Sequence, residues 1–275
     1  MKIIEKRTKK NGRKHIYFCG LKVFSYRRKT PFQNDKDLIF KIGRLITCAQ
    51  LHAQTFKGYK NRYAGKDVVL VGAGPSVNQF QPIKDAVYVG CNRAFLLESV
   101  QFDYLFSADK IGVEKFLDEM ASYRPDGCVK FIGDLNCGER FQIPESWICY
   151  LNGKRYKTTN GIFPYYKCAL DLESEPLAAF HSIALQTIQF ILYTNPKRIY
   201  LVGMDCGNAG KHFKGQEHDV SKRGENIDDL LKTTIEEWRQ IKEFASQYYP
   251  ETEIISVNPV GLKGLFSDLY QRKEK

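Results

Sequence analysis

Two stretches of this chain have residue types and spacing suited to chemistry on an anionic group. The first is Gly72-Ala73-Gly74-Pro75-Ser76, entered directly from Val68-Val69-Leu70-Val71. A short β-branched run ending in glycine reads as a buried parallel strand that closes in a loop. Gly72 and Gly74 accept positive φ and, lacking Cβ, let backbone N–H groups close on an anion. Pro75 suits the first turn of a following helix, whose N-terminus favours phosphate. Val77 stands where a dinucleotide fingerprint needs its third glycine, and no GK[ST] follows, so neither common phosphate motif applies. A plain strand-to-helix turn has the same appearance, and the meaning of this one depends on its neighbours.

The second stretch is Gly207 to Asp219, rich in glycine and too polar to be core. It carries His212 and His218, the best general-base candidates among the five histidines because imidazole titrates near neutrality. The alternative is a pair of solvated loop histidines. Lys211 and Lys214 are placed to stabilise an anionic leaving group, and Glu217 or Asp219 to orient an imidazole.

Further candidates follow other apolar runs. Asn92 and Arg93 come straight after Val87-Tyr88-Val89-Gly90-Cys91, where an amide can read a base or ribose and a guanidinium can pair with phosphate. Asp109 ends Tyr104-Leu105-Phe106-Ser107-Ala108 and suits a sugar hydroxyl or a metal; each of the three could instead cap a helix. Asp205 ends the run from Arg198.

The elements that position these groups alternate. Strands are expected at 68–71, 87–90, 104–109, 129–134, 147–151, 198–205 and 253–257. Helices are expected at 113–123, 176–193 and 226–248, with a short one after Pro259. Alternation of apolar strands with helices predicts an α/β fold, a doubly wound, mostly parallel Rossmann-like sheet covered on both faces. Ligands in such sheets bind beyond the carboxyl ends of the strands, where the candidate groups fall. The segment 135–175 reads as a lid or acceptor-binding insertion.

Charge is concentrated at one end. Of the formal net charge of +11, residues 1–31 carry eleven Lys and Arg against Glu5 alone. This basic leader interleaves aromatic residues and reads as two short strands turning near Gly20, a small hairpin. It suits either an anionic lipid surface or packing on the body; no recognition motif for nucleic acid accompanies it. Residues 32–65 read as a helix, with Leu38, Ile39, Ile42, Leu45 and Ile46 at helical spacing, and a linker. Residues 66–275 read as the catalytic domain. No apolar run reaches membrane-spanning length, and the start lacks a signal-peptide core, so a cytoplasmic protein is expected, peripheral at the inner membrane face if the leader binds lipid. Eight scattered cysteines without a C-x-x-C pair read as reduced thiols, with Cys91 and Cys206 beside the candidate site.

In order, GAGPS, CNR, a strand ending in Asp109, Ile199 to Asp205 with its Gly/His loop, and Val257-Asn258-Pro259 resemble the bacterial sialyltransferases of glycosyltransferase family 42. They also resemble the DUF115 (MptE-like) proteins, which include flagellin glycosyltransferases and hydroxymethylpterin pyrophosphokinases. The resemblance spans about Lys66 to Leu265. It implies a GT-A-variant fold and a nucleotide-sugar donor, CMP-linked, with no metal required. It assigns nucleotide binding to Gly72, Ala73, Gly74, Ser76, Asn92 and Arg93 and matches Ser182 to a serine of the sialyltransferase T-S-G turn; Pro75, Asp109, Ser182 and Asp205 complete the expected donor-binding set. Arg93 departs from an expected glutamine, Asp109 from an asparagine, and Gly207 and Phe213 stand where two tyrosines assist phosphate departure. The leader is similar to the segment preceding many surface-polysaccharide glycosyltransferases, which implies a glycan or lipid-linked acceptor. The pyrophosphokinase alternative implies ATP and Mg²⁺, with Asp109 and Asp205 as metal ligands; a non-catalytic relative is the third.

Overall fold

The computed structural model describes residues 4–8, 13–18, 21–27, 42–43, 46–108, 115–133, 144–152, 167–207, 212–213 and 227–271. The chain forms two compact units, Met1–Thr47 and Cys48–Lys275. In the first, three strands, β1 (Ile4–Thr8), β2 (Arg13–Phe18) and β3 (Leu21–Arg27), form an antiparallel sheet in that order. Ile4 pairs with Phe18, Arg13 with Arg27, and the β2–β3 register shifts between Ile16 and Tyr17. The leader is therefore three strands rather than the expected two. The strand that sequence reading missed, IEKRT, alternates charge with little apolar content.

The second unit is built on eight strands: β4 (Asp67–Val71), β5 (Val87–Cys91), β6 (Tyr104–Ser107), β7 (Val129–Gly133), β8 (Ile148–Tyr150), β9 (Arg198–Val202), β10 (Glu253–Val257) and β11 (Ser267–Leu269). Their order is β11-β10-β9-β4-β5-β6-β7-β8, and every pairing is parallel. The chain enters at β4, winds outward to β8, returns to the other side of β4 as β9, and winds outward again. This is the doubly wound sheet expected, with its reversal of direction between β4 and β9.

Both faces are covered, which is why the strands read as unbroken apolar runs. Val68 and Leu70 belong to one core, Val69 and Val71 to the other. The first core is aromatic: Phe106 stacks on Phe131 at 4.5 Å between ring centroids, and Phe190 lies 5.0 Å from Phe106.

Residues 46–55 form helix α1, α2 spans Leu117–Ser122, α3 Ile183–Tyr193 and α4 Ile227–Tyr248. Helix α3 is buried from Ala184 to Tyr193 and packs on β4, β5, β6 and α4. It starts at Ile183 rather than at Pro176, because Ser182 takes extended backbone and caps it. Helix α4 turns Trp238, Ile241 and Ala245 inward at helical spacing. After Pro259 the chain makes turns and then β11, where a short helix was expected; all three residues of this edge strand are exposed and only one is apolar.

Candidate functional site

The β4 turn and the segment after β9 meet at the carboxyl ends of adjacent strands, and their glycines are what allows it. Gly72 N–H donates to Val202 O at 2.8 Å, and Gly74 N–H to Gly203 O at 2.9 Å. A Cβ on Gly72 would stand 2.7 Å from Gly203 O; one on Gly74 would stand 2.6 Å from both Gly203 O and the Asp205 carboxyl carbon. Neither glycine has positive φ; Gly203 does, at 68°. The expectation that these glycines free their N–H groups for an anion is thus corrected: both groups are bonded to the neighbouring strand end, and the missing side chains let two loops touch.

An anion does sit at the turn, and it belongs to the protein. Ser76 N–H donates to Asp205 Oδ2 at 3.0 Å, and Ser76 Oγ donates to Asp205 Oδ1. Asp205 is only 6% exposed. Its backbone carbonyl accepts from Gly261 N–H at 2.7 Å, and a Cβ on Gly261 would come within 2.4 Å of Cys206 O. The segment after Pro75 is a single 3-10 turn, Pro75–Gln79, rather than an α-helix; Pro75 lies in its first turn and Val77 in the core.

Further along, Phe213 N–H donates to Ala73 O at 3.0 Å and Asn78 Nδ2 to Phe213 O at 3.1 Å. His212 is thereby held beside the β4 turn, its ring nitrogens shielded from solvent. One strand over, Asn92 opens a 3-10 turn at φ 50° and accepts from Ser107 Oγ at 2.9 Å, joining the ends of β5 and β6. The Arg93 guanidinium lies over the Phe116 ring at 5.7 Å.

The structure therefore gathers Gly72, Ala73, Gly74, Pro75, Ser76, Asp205 and His212 at the β4–β9 reversal, with Asn92 and Arg93 at the end of β5. Ser182 accepts from Ala184 N–H at 3.3 Å and caps α3, whose Thr187 in turn meets Cys91 at the carboxyl end of β5. Asp109 and His218 lie outside the described residues.

Burial raises the pKa of both nearby thiols. Burial pushes Cys91 up to about 12, against a hydrogen bond to Thr187 Oγ1 at 3.4 Å. Cys206 also rises to about 12, through burial first and then the Asp205 charge, opposed by a Trp238 hydrogen bond. Both stay protonated near neutrality.

Sequence reading missed His181 and Glu237. Glu237, 1% exposed on α4, accepts from His181 N–H through both carboxylate oxygens at 3.3 and 3.2 Å and bonds the ring Nδ1 at 2.5 Å. Trp238, next to Glu237 in the chain, hydrogen-bonds the Cys206 thiol, so this stretch of α4 reaches the segment after β9. A histidine immediately before a helix-capping serine was the only local signal.

No protein-family model matches the chain, and no curated protein does. Among solved structures it is similar to the sialyltransferase CstII from Campylobacter jejuni in complex with the substrate analogue CMP-3FNeuAc. That match has 12% identity and a TM-score of 0.40, and covers 74% of this chain and 85% of that one. A complex of CstII with a trisaccharide acceptor and CMP matches at 14% identity and a TM-score of 0.42, covering 74% and 86%.

Proposed function

We propose that this chain is a glycosyltransferase that takes a nucleotide sugar, CMP-linked, and extends a bacterial surface glycan on a glycan or lipid-linked acceptor. The observation that carries the reading is the convergence of the β4 turn, Asn92 and the His212 segment at the reversal between β4 and β9, in the motif order that resembles the sialyltransferases. The glycine turn lines the donor pocket, and Asn92 reads the nucleoside. Since Asp205 already occupies the Ser76 donors, countercharge for the donor phosphate comes from cationic side chains. Arg93 is one, and Lys211 and Lys214 flank the anchored His212-Phe213 pair in sequence. Departure of the nucleotide leaves an oxocarbenium-like carbon, and an imidazole on this face takes the proton of the acceptor hydroxyl; His212 and His218 are the candidates read from sequence. The basic leader serves as contact with an anionic lipid surface bearing the acceptor. No described helix is long and apolar enough to cross a membrane.

A second reading is favoured by one observation: Asp205 and Ser76 place two oxygen ligands together beside the turn. Oxygen ligands suit Mg²⁺ entering with ATP, as a pyrophosphokinase would use it. A thermal-shift titration with CMP, CDP, UDP, GDP and ATP, each with and without Mg²⁺, separates the two. A ligand at about 100 times its dissociation constant adds roughly 2.7 kcal/mol. Stabilisation by CMP independent of Mg²⁺ supports the transferase; stabilisation only by ATP with Mg²⁺ overturns it.

A further inference from the structure

The single 3-10 turn Pro75–Gln79 carries three successive side chains that end in three different places. About three residues per turn set neighbouring side chains roughly 120° apart. Ser76 faces Asp205 after β9, Val77 enters the core, and Asn78 Nδ2 donates to Phe213 O at 3.1 Å. Phe213 is gripped from its other side too: its N–H donates to Ala73 O at 3.0 Å, and its ring packs against the core that takes Val77. Both main-chain groups of this residue are thus bound to the β4 turn or to the 3-10 turn that continues it. Here the two stretches singled out in the sequence, Gly72 to Ser76 and Gly207 to Asp219, meet. Ala73 supplies a main-chain oxygen, which any residue would bring. The Asn78 carboxamide is the side chain in the grip, and its type matters because the Phe213 carbonyl needs a donor.

We propose that Asn78 is a positioning residue of the donor site, an assignment that rests on the glycosyltransferase reading. Through Phe213 it keeps the stretch carrying Lys211, His212 and Lys214 against the β4 turn, where the donor phosphate needs countercharge. Losing the bond changes how often that stretch is in place, and a nucleotide that needs it there binds with an apparent affinity reduced by the same fraction. One neutral hydrogen bond shifts such an equilibrium roughly two- to tenfold. Asn78 itself is exposed, so the fold does not depend on it.

The test uses the full chain. Neither Asn78→Ala nor Asn78→Asp can donate to Phe213 O. In both, the Phe213 amide should exchange with solvent roughly two- to tenfold faster, and the CMP dissociation constant should rise by a similar factor at an unchanged urea midpoint. Gln79→Ala, one position on, should match the native chain in all three. Native exchange at Phe213 in both Asn78 variants overturns the anchor. Faster exchange with native CMP affinity overturns its role in donor binding, and so does a weaker affinity that comes with a lowered urea midpoint. A native chain that no nucleotide stabilises overturns the transferase reading and the donor role with it; the exchange rates, which need no ligand, tell that failure from a failure of the anchor.

Discussion

Strands β4 and β9 are tied by a carboxylate at each end, and the two ties are built differently. At the amino end, Asp67 meets Arg198 in a two-pronged ion pair, Nε at 2.8 Å and Nη2 at 2.6 Å, with the arginine side chain 38% exposed. At the carboxyl end, Asp205 is buried and held by a backbone N–H and a hydroxyl from Ser76. A half-solvated ion pair adds little to stability and tolerates change. A buried carboxylate held by neutral donors carries a desolvation cost and depends on exact loop placement. The amino end closes the sheet; the carboxyl end holds two loops in one arrangement, which is what a binding site needs.

The largest break in that comparison is expected from Gly74→Ala. The φ of −68° at this position suits alanine, so any loss comes from contact alone. The new methyl would meet Gly203 O and the Asp205 carboxyl carbon at 2.6 Å, and a backbone oxygen cannot yield as a flexible side chain would. Overpacking of this kind costs about 1–3 kcal/mol. Urea unfolding should show that loss together with loss of the nucleotide-induced thermal shift. Native behaviour in both would mean the loops are not locked as described.

Asp205→Asn comes next. It preserves shape but removes the charge that Ser76 faces and leaves at most one carbonyl oxygen for two donors. Hydrogen bonds to a charged group contribute about 1.5–3 kcal/mol, and since the amide oxygen still accepts one of the two, a loss at the lower end of that range is expected. Nucleotide affinity should fall with it, because the β4 turn loses its anchor. A variant that binds CMP as the native chain does would separate Asp205 from the donor site.

The same contrast appears between two histidines. His52 lies in the core, its Nδ1–H donating to Leu172 O and Glu175 O at 3.0 Å each and its Nε2 accepting from Leu151 N–H at 2.8 Å. Burial lowers its pKa below 6.5, partly opposed by the two carbonyls. The unfolded chain therefore takes up this proton first as pH falls. The contribution is intact above about 6.5 and is lost as pH drops through that value toward the folded pKa, by at most about 1.4 kcal/mol per pH unit. Urea midpoints from neutral pH down to about 5.5 should fall more steeply for the native chain than for His52→Gln. Parallel curves would mean that His52 is not held neutral. His181, bonded to the Glu237 carboxylate, has the opposite kind of partner.

How much of this was readable depends on how local each cause is. The strand at Val68 to Val71 was plain because burial on both faces leaves no polar residue in it, and the glycine turn followed from the same run. Helix α3 was read too long, since Pro176 to Phe180 is as apolar as the helix and only the Ser182 cap separates them. β1 and β11 were missed because IEKRT and SDL lack that apolar signature. The meaning of the glycines was misread for a further reason: their need comes from Gly203 and Asp205, well over a hundred residues away in sequence. Ser76 to Asp205 and His181 to Glu237 are pairings of the same kind, fixed by the winding of the sheet and invisible to spacing.

The smallest effect is expected at the amino end. Arg198→Ala removes the partner of Asp67 and uncovers the Tyr200 ring, over which the guanidinium lies at 5.8 Å. Because the pair is open to solvent, its contribution is screened by salt. The urea midpoint should drop slightly at low ionic strength and hardly at all at high, while nucleotide binding and transfer stay native. β4 and β9 pair in unbroken register from Asp67–Arg198 to Val71–Val202, so a weakened tie at one end leaves the backbone ladder to hold the other. If Arg198→Ala disturbed nucleotide binding as much as Asp205→Asn does, the two ends would be coupled through the strands, and the division between a closing end and a working end would fail.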